Sequence, residues 1–316
     1  MTRKKYQMNI PGLSGIISYK RNYLIVAEEY KVVVYDLETL EPITKLSIRH
    51  VLGMDLNLSE DMVYCYTVDA IKIFSLETFR VLKVLEPELT DEEEWEIKQC
   101  YSVGINLLLL VVLLFGGDYL VVLCDTENGA TETIITVEED DAILFDKKHG
   151  LQIVKGDFYQ PRSESNDLQI EQRHYQSEQF LFNTDIEILK LSAAETKKSG
   201  NLCYGEPEGK FFLAIEYGFF QSYYLFLDQD FRLIKRIKAP MKDYPSEICY
   251  YEDYNLLILF YVDKKIVVLD TKNNRFQICT ILDAVLPFGH VLFKETKQLL
   301  IFESEKIQWV DLDQFC

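Results

Sequence analysis

Four histidines and seven cysteines are the residues of this chain that could ligate a metal or pair a nucleophile with a base. Neither set has the spacing for it. The histidines are His50, His149, His174 and His290; no two stand at ligand spacing, and a zinc site needs three or four converging groups. His50 and His290 open extended segments, where a structural hydrogen bond to a neighbouring strand is the expected role. His149 sits in the turn Asp146-Lys147-Lys148-His149-Gly150, and His174 lies in a polar stretch where it could touch a partner. The thiols at Cys65, Cys100, Cys124, Cys203, Cys249, Cys279 and Cys316 contain no C-x-x-C pair. They are expected as small buried apolar residues in a reducing cytoplasm. No metal, cofactor or catalytic residue is expected.

Carboxylates are the abundant chemistry. With 51 Asp and Glu against 33 Lys and Arg, the net charge is −18, which disfavours nucleic acid as a direct ligand because phosphate affinity comes mainly from Lys and Arg. Glu86, Glu88, Asp91, Glu92, Glu93, Glu94 and Glu96 crowd around Pro87 and Trp95, and Glu138-Glu139-Asp140-Asp141 forms a second run. Such a stretch is either a solvated loop or a docking surface for a basic partner. In the second case Glu88 and Asp91 to Glu94 form an anionic rim, and Trp95 is the apolar anchor. Its spacing matches no EF-hand alternation. A second candidate contact surface lies in residues 156–177. Long loops in compact folds are usually functional or disordered; if this one is ordered, Phe158, Tyr159, Arg162 and Tyr175 are its contact residues.

The elements that must position these groups are strands. Lys31-Val32-Val33-Val34-Tyr35-Asp36, Ile71-Lys72-Ile73-Phe74-Ser75, Lys265-Ile266-Val267-Val268-Leu269-Asp270 and Lys306-Ile307-Gln308-Trp309-Val310-Asp311 are variants of one string. Each is a β-favouring run closed by a small polar residue and followed by a turn. The closing residues Asp36, Ser75, Asp125, Asn183, Asp228, Asp270 and Asp311 recur every 39 to 58 residues, near the period of roughly 40–45 expected for four-stranded propeller blades. Insertions at 86–96 and 156–177 account for the two longest intervals. Four strands fit each unit: Val51–Leu56, Met62–Thr67, Ile71–Ser75 and Arg80–Leu85 in the second, and Ser246–Tyr251, Leu256–Val262, Lys265–Leu269 and Arg275–Thr280 in the sixth. The last unit holds three, Val291–Phe293, Leu299–Glu303 and Ile307–Asp311. An N-terminal strand, Lys5–Ile10, is expected to pair with it and close a ring. Thr90–Lys98 and Leu168–Ser177 are the only plausible short helices. The expected fold is therefore all-β: one seven-bladed β-propeller domain, 1–316, of four-stranded antiparallel blades. Two irregular sandwiches are the alternative.

The second unit resembles a WD40 repeat. His50-Val51, Met54-Asp55-Leu56, Ser59-Glu60-Asp61, Val63-Tyr64-Cys65, Asp69 and Ile71-Lys72-Ile73-Phe74-Ser75 fall where that family has its Gly-His, inner strand, Ser-Pro-Asp turn, second strand, turn Asp and closing Trp-Asp. Gly289-His290-Val291 and Trp309-Val310-Asp311 are similar in the last unit. The boxes of sialidase, kelch and pyrroloquinoline-binding propellers are missing. The resemblance implies a non-catalytic protein-interaction scaffold, or a subunit of a larger assembly, with a protein partner. Two other readings stay open: an acidic immunity or neutraliser protein that binds a basic toxin or nucleic-acid-binding protein, and a propeller enzyme or small-ligand binder. In the last, Ser18, Asp55, Ser102 and Glu247 would line a central channel. The basic N-terminus lacks a following apolar region, and the longest apolar run, Leu107–Phe115, is too short to cross a bilayer, which takes about 20 residues. The expected location is the cytoplasm, with no membrane contact.

Overall fold

A computed structural model describes residues 14–87, 89, 94–138, 142–146, 150–155, 168–174, 185–191, 204–205, 211–216, 223–227, 233–241, 245–251, 256–261, 265–273, 275–280, 289–293, 298–302 and 307–312. The regular elements among these residues are strands, so the chain is all-β. The first sheet is an antiparallel meander of β1 (Ser14–Ser18), β2 (Tyr23–Glu28), β3 (Lys31–Asp36) and β4 (Pro42–Leu46). The second comprises β5 (Gly53–Leu56), β6 (Met62–Tyr66), β7 (Ile71–Ser75) and β8 (Val81–Leu85), and the third β9 (Trp95–Ser102), β10 (Leu107–Leu114), β11 (Tyr119–Asp125) and β12 (Thr131–Val137). β13 (Ala142–Asp146), β14 (Gly150–Lys155), β15 (Leu168–His174) and β16 (Asp185–Leu191) form a fourth. Two further meanders are β17 (Tyr204–Gly205), β18 (Phe211–Glu216), β19 (Tyr223–Leu227) and β20 (Leu233–Lys238), then β21 (Pro245–Tyr251), β22 (Leu256–Tyr261), β23 (Lys265–Asp270) and β24 (Arg275–Thr280). β25 (Gly289–Phe293), β26 (Gln298–Phe302) and β27 (Ile307–Asp311) make a sheet of three strands among the described residues. The expected strand Lys5–Ile10 lies outside them.

The recurring polar residue has a local cause. Asp36 closes β3, and its carboxylate accepts from the N–H of Glu38 at 3.1 Å, the N–H of Thr39 at 2.8 Å and the Thr39 hydroxyl at 2.9 Å. Ser75 accepts from the N–H groups of Glu77 and Thr78, Asp125 from Glu127, and Asp270 from Lys272 and Asn273. Each side chain substitutes for water on turn donors that strand pairing leaves unsatisfied. In three of these turns a left-handed residue follows four positions on: Leu40 at φ 58°, Phe79 at φ 56° and Gly129 at φ 80°. Its N–H returns to the carbonyl oxygen of Asp36, Ser75 or Asp125 at 2.8–2.9 Å. At these four positions the sequence period is a repeated turn between the third and fourth strands, while Asn183 and Asp228 lie outside the described residues.

The chain groups into two compact units, one built on β1–β12 with β25–β27 and the other on β13–β24. In the first, alternation within a strand sends successive residues to different neighbours. Leu24 and Val26 of β2 and Val33 and Tyr35 of β3 pack with Leu300 and Phe302 of β26. Ile25, Ala27, Val32 and Val34 instead pack with Val63, Cys65 and Phe74 of the second sheet. Tyr64, Tyr66, Ile71 and Ile73 then meet Leu108, Leu110 and Val112 of β10 and Val122 of β11. The sheets are thus stacked face to face, and their first strands meet in series: β25 with β1, β1 with β5, β5 with β9. In the second unit, Tyr224 and Phe226 of β19 pack with Leu257, Leu259 and Tyr261 of β22. The buried hydroxyls of Tyr224 and Tyr261 lie 2.7 Å apart, so each polar tip is satisfied inside an otherwise apolar interface.

Both expected helices are corrected. Residues 95–102 form β9, and Leu168–His174 forms β15. In β9, Val111 pairs with Gln99 but Val112 pairs with Ile97, leaving Lys98 as a bulge. Ile97 and Cys100, three residues apart, therefore both reach the core, and the bulge gives a strand the spacing of a helix. β15 pairs antiparallel with β16, which pairs parallel with β14, so the order is β13-β14-β16-β15. Part of the expected insertion 156–177 is accordingly a terminal strand, and this sheet departs from the simple meander because a parallel pair needs a crossover.

Candidate interaction surface

Two places bring chemistry-bearing side chains together in the first unit. One lies along the first strands. Ser18, at the end of β1, is fully buried, and its hydroxyl donates to Glu60 Oε2 at 2.8 Å; the Lys20 N–H reaches the same oxygen at 2.9 Å. The Lys20 ammonium donates to the Leu58 carbonyl oxygen at 2.9 Å. One sheet onward, Asp55 Oδ2 accepts the backbone N–H of Ser102 at 2.7 Å. Tyr64, Tyr66 and Tyr101 lie near enough to feel the charge of this carboxylate. Burial pushes Tyr64 and Tyr101 up to about 12 and raises Tyr66 further, and the neighbouring negative charge of Asp55 adds to each shift. Phenols held this firmly neutral act as hydrogen-bond donors rather than bases. Three of the four residues expected to line a channel are thus placed: Ser18 and Ser102 are buried, and the groups join successive sheets. The fourth, Glu247, lies in β21 of the other unit.

The second place is the end of the sheets that carries the second-to-third-strand turns, each hydrogen-bonded to chain at or just before a first strand: that of the following sheet for Glu29 and Val68, and that of its own sheet for Phe115. The Glu29 carbonyl oxygen accepts the His50 N–H at 3.1 Å, Val68 accepts Ile97 at 2.7 Å, and Glu94 accepts Phe115 at 3.1 Å. His50 itself is exposed, with φ 55°, and its ring stands edge-on to Tyr30 at 6.0 Å. At this end Tyr30, Val68 and Leu52 are exposed, and Phe115 is 84% exposed. Phe115 occupies a turn in which the Leu114 N–H donates to Asp118 and the Gly117 N–H to Leu114; Gly117 takes φ 98°, a conformation that suits glycine. Glu86, Glu94 and Glu138 are exposed here, while Glu96 Oε2 is paired with Lys98 Nζ at 2.6 Å. The arrangement can offer a basic, apolar-tipped segment a hydrophobic contact inside an anionic rim.

Of the residues that the sequence nominates, Glu94 is exposed, and Trp95, the first residue of β9, is half-buried against the core between the second and third sheets together with Leu89. Glu88, Asp91, Glu92, Glu93, Phe158, Tyr159, Arg162 and Tyr175 lie outside the described residues. Phe115 was not nominated. A signal for it existed: a large aromatic stands directly before Gly116-Gly117-Asp118, where hairpin turns favour small polar residues. Among the described residues no group of three or more His, Cys, Asp or Glu side chains converges as a metal site, and no helix is long and apolar enough to cross a membrane. No protein-family model matches the chain, and no curated protein matches it in sequence.

Proposed function

We propose that this chain is a non-catalytic, cytoplasmic interaction scaffold, a WD40-like seven-bladed β-propeller whose Phe115 end docks a basic segment of a protein partner. The observation that carries the functional reading is Phe115 itself, 84% exposed on a hairpin tip that is hydrogen-bonded to the acidic connection at Glu94. An aromatic so exposed gains by being covered, and the surrounding carboxylates favour a cationic cover. The propeller reading is supported by the stacked meanders, their serial first-strand contacts and the repeated Asp turn. A scaffold of this kind binds through the loops at one end of rigid sheets.

Affinity capture from the native cell with the wild-type chain, Phe115→Ser and Glu94→Lys, read by quantitative mass spectrometry, tests the reading. Partners common to all conditions are background. The expected result is a protein rich in Lys and Arg that is lost in both variants while thermal stability is unchanged. If no Lys- and Arg-rich protein is captured by the wild-type chain and lost in both variants, the assignment of this end fails.

A further inference from the structure

β8 differs from the terminal strands β4, β12 and β24 in how its edge is guarded. A terminal strand presents unpaired backbone groups, and proteins deter unwanted pairing there with charge or proline. β4 opens on Pro42 and exposes Lys45; β12 exposes Glu132, Thr133 and Thr136; β24 opens on an exposed Arg275. β8 instead exposes Val81 at 47%, Leu82 at 56% and Val84 at 46%. Its only charged residue is Lys83, whose ammonium is drawn back onto the neighbouring sheet, donating to the Thr126 carbonyl oxygen at 3.0 Å and also to that of Glu127.

The flanking charges say what fits this edge. Residues 80–86 read Arg-Val-Leu-Lys-Val-Leu-Glu, and the string complements itself when reversed about Lys83. Laid antiparallel against a second copy with Lys83 on the two-fold axis, Arg80 stands opposite Glu86, Val81 opposite Leu85 and Leu82 opposite Val84, each contact occurring twice. Arg80 and Glu86 are both exposed. We propose that β8 pairs with β8 of a second copy of this chain, joining two sheets edge to edge in an isologous dimer. The repulsion between the two lysines on the axis is reduced because each ammonium is drawn away from the strand onto the neighbouring sheet of its own chain. Five-residue strands bury less than the standard interface of about 1,600 Å², so the dimer forms reversibly with concentration.

Sedimentation velocity over a concentration series tests the pairing, with thermal melting to establish that each variant is folded. The wild-type chain should dimerise. Leu82→Lys should abolish the dimer by placing charge in the apolar centre. Arg80→Glu sets Glu against Glu86 twice and should weaken the dimer about tenfold, as should Glu86→Arg. The double reversal, Arg80→Glu with Glu86→Arg, should restore it. If Leu82→Lys fails to fold, the charge reversals alone decide. A chain that stays monomeric at all concentrations, whatever else then occupies β8, overturns the inference; so does a dimer indifferent to the reversals.

Discussion

The first and fourth strands of each meander in the β1–β12 unit are both terminal in their sheets, yet they meet the edge problem in opposite ways. β1, β5 and β9 lie against the first strands of neighbouring sheets and use small residues and polar clasps. Added carbon at Gly15 would overlap the ring of Phe302, and at Gly53 it would lie 2.6 Å from Cζ of Tyr66. Ser18 with Glu60, and Asp55 with the Ser102 N–H, bind the sheets together there. β4 and β12 face solvent and rely on proline or charge. The difference teaches that close approach and charge are alternative protections for one backbone, and β8, which has neither, is the exception.

The comparison breaks first in the layer between sheets. Leu110→Ala, at a fully buried site between the second and third sheets, should cost about 2–5 kcal/mol in urea unfolding. Ile43→Ala, exposed on β4, should stay within about 0.5 kcal/mol. Equal effects would show that inner and outer strands are not distinguished by burial. Next comes the close approach at β5. Gly53→Val should lower stability by about 1–3 kcal/mol through overpacking against Tyr66; in a double-mutant cycle it should cost less when introduced into Tyr66→Ala than into the wild-type chain, which would assign the loss to that contact.

Asp55→Ala tests the clasp on the same strand. It leaves the Ser102 N–H without its acceptor and should cost about 1–3 kcal/mol. An Asp55→Asn variant keeps an acceptor oxygen and should lose less; equal losses would show that charge and not the hydrogen bond matters. The smallest effect belongs to the turns. Hydrogen bonds from the Thr39 N–H and hydroxyl hold Asp36 below the usual carboxylate range, and those from Asn57 and Ser59 do the same for Asp61. A folded pKa below the unfolded one contributes stability that is complete above the unfolded value, about 3.9, and is lost as pH falls through the folded pKa. Melting temperature measured from pH 5 downward, a range of order one to two units around that value, should fall less steeply for Asp61→Asn than for wild type. Parallel curves would remove Asp61 from the acid response.

Much of the fold was legible because its signals are local. The strands Ile71–Ser75 and Arg275–Thr280 coincide with the sequence reading, and the others of the second and sixth units differ by no more than two residues at either end. Alternation and turn chemistry act within a few residues, so no distant contact is needed to read them. The failures have the opposite character. Residues 95–98, expected to be helical, belong to β9, which takes its place through pairing with β10, and β15 takes its place through pairing with β16, a partner further along the chain. The interaction surface was half legible: the acidic run was visible, but the half-burial of Trp95 and the exposure of Phe115 depend on which residues the neighbouring sheet covers.

By itself, the sequence determined the all-β class, the recurring unit and the polar residue that closes it, because each follows from the period of a pleated strand and the hydrogen-bonding needs of a short turn. It also determined the excess of carboxylates. Only the tertiary structure decided which face of each strand meets which neighbour, that Lys83 turns away from its own edge, and that Asp55 accepts a bond from the next sheet. Those are relations between residues remote in the chain, and a side chain's exposure is a property of what packs over it.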